Sequence, residues 1–195
     1  MGTTKQHLYL VAIIPPEPVY SEIKEFQQYA ADKYRSKEAL RRPSHITLIP
    51  PFQVSEMYEE QIIHFLTNFS SKQIPFELAI DGFGSFTVGV IYAAFVENER
   101  LKKMQKELIL SFNKKFKVDG GKDSGRKFNP HITIAFKDLS PIVFPNAKKE
   151  FDDKLYRRKW MLKDMCLLRH DGRQWQIIKR VEFGAAITNE LAFEF

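Results

Sequence analysis

The sequence has few of the features that build disulfide frameworks, metal centres or membrane anchors. Cys166 is the only cysteine in 195 residues, which excludes an internal disulfide and a site made of several thiolates. No segment reaches the ~18 apolar residues of a membrane-spanning helix, and the apolar run Leu8–Ile14 ends at Pro15 and Pro16 as a buried strand would. Neither a phosphate-binding glycine loop nor an HExxH zinc motif is present. We therefore expect a cytoplasmic protein that uses no cofactor and no metal.

Positive charge and aromatic residues are what the composition does supply. Lys and Arg number 30 against 24 Asp and Glu, a net charge of +6, which favours anionic partners such as RNA, nucleotides or phosphates. Hydrophobic residues make up 44% of the chain and phenylalanines number 17, enough for a substantial core. The length predicts a single domain, 1–195, or two small lobes within it.

Helical and strand-like patterns alternate along the chain, which indicates an α+β or α/β protein. Apolar spacing predicts helices over Glu17–Tyr34, around Tyr58–Phe69, from an N-cap at Asn98 to Phe112, and near Ala147–Arg158. Strands are predicted at Ser44–Phe52, Phe76–Asp81, Phe86–Val96, Phe128–Phe136, Leu162–Arg169 and Gln174–Phe183, with turns at Gly82 and Gly84 and at His170–Arg173.

A short pattern occurs twice. His45-Ile46-Thr47-Leu48 and His131-Ile132-Thr133-Ile134 lie 86 residues apart, which suggests two similar lobes that each supply one copy. In a strand the histidine and threonine of each copy point to one face, and the aliphatic residues point into the core. We expect both strands to be central in their sheets, with the imidazoles within ~5–8 Å so that both reach one phosphate.

Two imidazoles and two hydroxyls around one cleft suit the chemistry of phosphate esters. One histidine takes a proton from the incoming oxygen and the other gives a proton to the departing oxygen, since an imidazole with a pKa near ~6.5 can do either. The threonine hydroxyls donate hydrogen bonds to the non-bridging oxygens, where charge gathers in the transition state. A single His-x-Thr strand is uninformative, whereas a matched pair predicts an active site.

The two motifs are similar to those of the two-histidine (2H) phosphoesterase superfamily, in particular the bacterial 2′-5′ RNA ligase family. Phe128 and Pro130 before the second copy also resemble that family's pattern. The resemblance implies an α+β, bilobal fold with two pseudo-symmetric lobes of antiparallel sheet, helices outside and a central cleft. It implies action on 2′,3′-cyclic phosphates or 2′-5′ linkages of RNA ends or nucleotides, with His45, Thr47, His131 and Thr133 as the catalytic residues.

The sequence departs from that pattern where several relatives carry an arginine shortly after the second motif. Phe136 occupies the position here, followed by Lys137, so a phosphate-neutralising cation must come from elsewhere. The candidates for substrate contact are Arg42, Arg126, Lys127 and Arg169, together with the rings of Phe52 and Phe128, for which core packing is the alternative.

Two further basic segments have two interpretations each. The glycine- and lysine-rich segment Asn113–Lys127 is either a clamp for RNA or a solvated loop. Lys148–Lys163 is interpreted as the basic face of a solvated helix, in preference to a binding surface.

Two functions remain open at this point. The first is a metal-independent cyclic phosphodiesterase or 2′-5′ ligase, and the second is a non-catalytic RNA- or nucleotide-binding module that retains the cleft. Retention of both histidines favours the enzyme, because binding alone would not need two titratable groups. RNA ends or a cyclic nucleotide are the expected partners, with no membrane and no obligatory protein partner.

Overall fold

Two antiparallel sheets of four strands each form the framework of the protein in the computed structural model, which describes residues 5–86, 89–118 and 127–184. Four α-helices and two short 3₁₀ helices accompany them in these ranges. The elements in chain order are β1 (Gln6–Ile13), α1 (Val19–Tyr34), a 3₁₀ turn (Glu38–Arg41), β2 (Ile46–Ser55), a 3₁₀ turn (Glu56–Tyr58), α2 (Glu59–Ser70), β3 (Phe76–Phe86), β4 (Val90–Phe95), α3 (Glu99–Phe116), β5 (His131–Ala135), α4 (Phe144–Asp152), β6 (Arg157–Leu162), β7 (Asp164–His170) and β8 (Trp175–Glu182). The α+β class and the bilobal arrangement are confirmed.

The helices arise where apolar residues recur at helical spacing. In α3 the buried residues Leu101, Met104, Leu108 and Phe112 share one face, as the spacing predicts. The side chain of Asn98 accepts a hydrogen bond of 2.9 Å from the backbone N–H of Leu101, which confirms it as the N-cap. None of the helices in the described ranges is apolar and long enough to cross a membrane.

The prediction that the two motif strands are central in their sheets is wrong. The strand orders are β2-β1-β7-β8 and β5-β4-β3-β6, so both motif strands lie at sheet edges. Pro50 and Pro51 lie within β2, and proline, which donates no ladder hydrogen bond, fits an edge strand. The two motif edges contact each other, and the central cleft lies between them.

Each long helix packs on the motif strand of the opposite half. Helix α1, from the first half of the chain, contacts β5, and α3, from the second half, contacts β2. A glutamine on each helix adds a hydrogen bond to this packing. Gln27 of α1 donates to the carbonyl of Thr133 at 2.8 Å, and Gln105 of α3 donates to the carbonyl of Leu48 at 3.0 Å. These bonds satisfy backbone oxygens that an edge strand would otherwise leave unpaired.

Two local predictions need correction. Gly82 and Gly84 do not form a turn, because β3 continues through both to Phe86. Gly82 instead has a φ of +74° where the pairing with β4 shifts register between Ile80 and Phe83, as in a β-bulge.

The basic segment after α4 is also different from the prediction. The helix ends at Asp152, and Arg157–Leu162 forms β6 beside β3. Its cations meet carboxylates nearby, since Arg157 binds Asp81 at 2.7 Å and Arg158 binds Glu22 of α1. Partners on the neighbouring strand and on α1 explain the basic residues better than a solvated helix does.

Candidate active site

Both motif histidines are held by the same local hydrogen bond. His45 lies just before β2 and His131 begins β5. In each, Nδ1 lies next to the carbonyl oxygen two residues earlier, Pro43 at 2.7 Å and Asn129 at 2.8 Å. A carbonyl only accepts, so Nδ1 carries the hydrogen and Nε2 of the neutral ring keeps the lone pair. Each imidazole is therefore oriented to exchange a proton through Nε2.

The threonines lie on the same strand faces as their histidines. Thr47 is paired with Ala12 of β1, and Thr133 with Tyr92 of β4. The residues between and after them point the other way, and Ile46, Leu48, Ile132 and Ile134 are all fully buried. The alternation predicted from the motifs is confirmed.

A cavity of about 100 Å³ joins residues of the two motifs. Its walls include His45 and Thr47 from the first motif and Thr133 from the second. The remaining lining residues are Gln27, Ala39, Arg42, Pro43 and Phe136. His131 does not line this cavity, but it lies near enough to His45 for a proton on His131 to lower the pKa of the His45 imidazole. The fold thus brings both copies to one cleft.

Burial keeps both imidazoles in the neutral form. Burial, the largest cause, and the positive charges of Arg42, Lys24 and protonated His131 together lower the pKa of His45 to about 4, against the opposing hydrogen bond to Pro43. Burial also lowers the pKa of His131, whose hydrogen bond to Asn129 opposes the shift. At neutral pH each Nε2 is therefore available as a proton acceptor.

Among the described residues, Arg42 is the cation in the wall of the cavity. Its guanidinium lies 5.3 Å from the ring centre of Phe136, the residue that follows β5. Lys24 of α1 donates to the carbonyl of Arg42 at 2.5 Å, and burial lowers the pKa of this lysine. Sequence reasoning missed Lys24, because nothing in the sequence indicates that α1 approaches the residues before β2.

An aromatic group on the second lobe flanks His131. The rings of Phe86 and Tyr92 stack with centres 4.2 Å apart, and their centres lie 4.8 and 5.3 Å from that of His131. Gly84 makes room for this group, since a Cβ there would lie 2.8 Å from the Tyr92 ring. These three residues were not predicted, and no pattern in the sequence pairs them with the motif.

Two of the predicted substrate contacts lie away from the cavity. Phe52 is 3% exposed and packs against Tyr9 and Phe112 in the core, so it offers no ring face to a substrate. Arg169 lies opposite Tyr9 of β1, and Thr47 lies opposite Ala12 of the same strand. Because Tyr9 and Ala12 face opposite sides of the first sheet, Arg169 and Thr47 do as well. Arg169 binds Glu59 at 2.8 Å on the side away from the cleft.

The remaining candidates lie outside the cavity or outside the described residues. Phe128 is partly buried and packs against the core. Lys127 is exposed and is not among the residues that line the cavity. Arg126 lies outside the described residues, as does the greater part of the predicted basic loop after residue 118.

A larger cavity of about 540 Å³ adjoins the first. Pro43 lines both cavities, and the larger one also has the rings of Tyr20 and Trp175 and the cation Arg180 in its walls. It lies on the cleft face of the first sheet, where Ile14 and Trp175 form a small apolar cluster. Aromatic rings beside a cation are features that nucleotide sites use.

Sequence comparison supports one family. The family model of the 2′-5′ RNA ligase superfamily matches residues 15–174. A protein of Geobacillus sp. (strain WCH70) that bears the name "Putative phosphoesterase" is 29% identical over 145 residues, which cover 72% of this chain and 72% of that protein.

Solved structures show the same fold. The protein TT0787 of Thermus thermophilus has a TM-score of 0.64 at 15% identity, over 91% of this chain and 98% of that one. E. coli LigT complexed with 3′-AMP has a TM-score of 0.61 at 20% identity, over 92% and 99%. LigT complexed with phosphate has a TM-score of 0.55 at 19% identity, over 92% and 98%.

Proposed function

Since the chain belongs to the 2′-5′ RNA ligase superfamily, a family of phosphoesterases and ligases, we propose that it is a metal-independent phosphoesterase that opens 2′,3′-cyclic phosphates or cleaves 2′-5′ phosphodiester linkages of RNA ends or nucleotides. The observation that supports this most is the pair of imidazoles at one cleft, each with Nδ1 held by a backbone carbonyl. One phosphorus between them would have a proton acceptor on one side and a donor on the other.

His45 is assigned as the general base. Its pKa, about 4, keeps Nε2 unprotonated across the neutral range, so it is ready to take a proton from the attacking oxygen. His131 is assigned as the general acid. The negative charge of a bound phosphate raises the pKa of a neighbouring imidazole, so substrate binding would favour protonated His131. The hydrogen on Nε2 would then pass to the departing ribose oxygen.

Thr47, Thr133 and Arg42 are assigned to the phosphate oxygens. The two hydroxyls line the same cavity as His45, and the guanidinium of Arg42 supplies a positive charge at its wall. Hydrogen bonds from a charged donor to a phosphate are stronger than neutral ones, and they gain strength as charge gathers in the transition state. Arg42, which lies on Phe136, would replace the cation that relatives carry after the second motif.

The test is hydrolysis of a 2′,3′-cyclic nucleotide in the presence of EDTA by the wild-type protein and by His45→Ala and His131→Ala. We expect turnover by the wild type and a loss of about 10²–10⁴-fold in each variant, the usual contribution of a positioned acid or base. The double variant should be little worse than the poorer single one, because both histidines act in one step.

His64→Ala is the matched control, since it removes an exposed imidazole from α2. Near wild-type turnover in either motif variant would remove the two-histidine mechanism. Binding of the nucleotide without turnover by the wild type would favour the second candidate, a nucleotide-binding module, for which the rings of the larger cavity are the supporting feature. We also propose that residues 1–195 act as a single domain, in the cytoplasm.

A further inference from the structure

The two cavities that meet at Pro43 differ in size, and therefore in what each can hold. The smaller one, of about 100 Å³, has the volume that roughly three water molecules occupy in the liquid, which suits a phosphate group but not a nucleoside. The larger one, of about 540 Å³, lies in the range of cavities that bind small organic ligands. A phosphate ester bound at the motif residues therefore needs room for its organic groups outside the smaller cavity.

The larger cavity lies on the side of His45. Its walls come from the segment that joins β1 to α1, from the first turn of α1, from Pro43 and from β8 of the first sheet. The carbonyl oxygen of Pro43 also holds Nδ1 of His45. His131 belongs to the second sheet, where it contacts the rings of Phe86 and Tyr92. A group in the larger cavity is therefore next to the histidine assigned as base, and not next to the one assigned as acid.

The pairing register connects the larger cavity to the first motif across the sheet. One residue from each strand lies directly opposite the next in a row of four: Thr47, Ala12, Cys166 and Arg180. Residues in such a row share one face of the sheet, and three strand spacings separate the Cα atoms of Thr47 and Arg180 by roughly 14 Å. Arg180 binds Asp164 at 2.6 Å, and its side chain remains 44% exposed. A ligand that reaches from Thr47 toward Arg180 is therefore longer than a phosphate group and has the dimensions of a phosphate with a nucleoside attached.

The walls of the larger cavity suit a nucleoside better than a second phosphate. Glu17 and Arg180 bring one negative and one positive charge, so these walls do not favour an anion. The ring of Tyr20 is partly exposed and the side chain of Ile177 is 44% exposed, and both offer apolar contact to a base. Gln176 and the two charged groups can donate to and accept from the polar edge of that base.

We propose that the larger cavity binds the nucleoside on the 5′-oxygen side of a 2′-5′ linkage, an assignment that rests on the proposed function. When the linkage forms, the 5′-hydroxyl of this nucleoside takes the place of water. Its oxygen bonds to the phosphorus of a 2′,3′-cyclic phosphate, and its proton passes to Nε2 of His45. The ring bond between phosphorus and the 3′ oxygen breaks, and that oxygen takes the proton from Nε2 of His131. Cleavage is the reverse, with the 3′-hydroxyl as nucleophile, His131 as base and His45 as the donor to the departing 5′ oxygen.

This assignment separates two substrates of the same catalytic residues. A 2′-5′-linked dinucleotide places a nucleoside in the larger cavity, whereas a 2′,3′-cyclic mononucleotide has no group on the 5′-oxygen side of its phosphorus. Changes in the walls of the larger cavity should therefore slow cleavage of the dinucleotide more than opening of the cyclic nucleotide. A general loss of fold or of phosphate binding would slow both reactions equally.

The experiment measures kcat/KM for a 2′-5′-linked dinucleotide and for a 2′,3′-cyclic mononucleotide with the same protein preparation in EDTA. The ratio of the two values does not depend on how much of the protein is folded. Tyr20→Leu should lower the ratio of dinucleotide to cyclic nucleotide roughly 5–100-fold, the usual effect of removing one ring that stacks on a base. Ile177→Glu should lower this ratio as well, because its carboxylate would lose water against the bound base.

Two matched variants serve as controls. Tyr20→Phe keeps the ring, and Lys179→Glu places a carboxylate on the opposite face of β8, at an exposed position across from Leu167. Both should keep the wild-type ratio.

The outcomes distinguish this assignment from the proposed function. An unchanged ratio in Tyr20→Leu or in Ile177→Glu would overturn the assignment, and equal losses with both substrates would place the nucleoside of the cyclic phosphate in the cavity instead. Opening of the cyclic nucleotide by the wild type without cleavage of the dinucleotide would overturn the assignment and leave the proposed function standing. Absence of both reactions would overturn the proposed function and this assignment with it.

Discussion

Protonation of His45 should destabilise the folded protein by a measurable amount. In the unfolded chain this imidazole has a pKa near ~6.5, whereas burial and neighbouring cations lower its pKa to about 4 in the folded state. Between these values the unfolded chain binds a proton that the folded chain does not, so the free energy of unfolding falls as the pH decreases. From pH 7.5 to pH 5 the loss from this one group is about 2 kcal/mol.

The assay is urea denaturation at the two pH values for the wild type and for His45→Asn. Other titrating groups contribute to both proteins and largely cancel in the comparison. The free energy of unfolding of the wild type should fall by about 2 kcal/mol more than that of the variant. His64→Asn, at an exposed position of α2, should retain the wild-type slope. If the free energies of unfolding of the wild type and of His45→Asn fall by the same amount, burial does not keep His45 unprotonated. Its assignment as a base that is uncharged near pH 7 then fails.

Three further substitutions test the site. Arg42→Ala should lower kcat/KM about 10–100-fold, because a charged contact to phosphate is lost. Arg41→Ala, at the exposed neighbouring position, should leave kcat/KM nearly unchanged. Valine in place of either motif threonine should lower kcat by at most about 10²–10³-fold, and a larger loss would mean that the hydroxyl takes part in proton transfer. Gly84→Ala should reduce the free energy of unfolding by about 1–3 kcal/mol in urea titrations, because its Cβ would meet the Tyr92 ring at 2.8 Å. Adding Tyr92→Leu should recover most of that loss, and no recovery would place the strain elsewhere.

Periodicity predicted the parts of the fold that depend on local spacing. The alternation in His45-Ile46-Thr47-Leu48 places its aliphatic residues in the core, and the apolar stripe of α3 is buried as expected. The alternation ends before Phe52, because the pairing of β2 with β1 shifts register twice between Thr47 and Phe52, and Leu48 and Ile49 are both buried. Pro50 and Pro51 did indicate an edge strand.

The misplaced residues depend on information that local patterns lack. Arg169 lies in a strand that the sequence predicted, but the face on which its side chain lies is decided by the pairing of that strand with β1. Arg157–Leu162 was assigned to a helix because charged residues suit a solvated helix as well as an exposed strand, and its partner β3 is distant in sequence. Gln27 had a signal, since a glutamine four residues after Ile23 falls on an apolar helix face, but its meaning required knowledge of what α1 covers.

The exchange of helices between the two halves has a consequence for how the protein is made. As the chain leaves the ribosome, β2 and α1 emerge before α3 and β5, the elements that cover them in the finished structure. The first half therefore presents uncovered apolar surface until synthesis has passed residue 135, a period in which a folding chain is prone to associate with others. Contacts between elements so far apart in sequence also favour slow, concerted folding over stepwise completion of one lobe. A chain that stops after the first motif would carry a histidine on a strand without its covering helix, and the cleft would form only when both halves are complete.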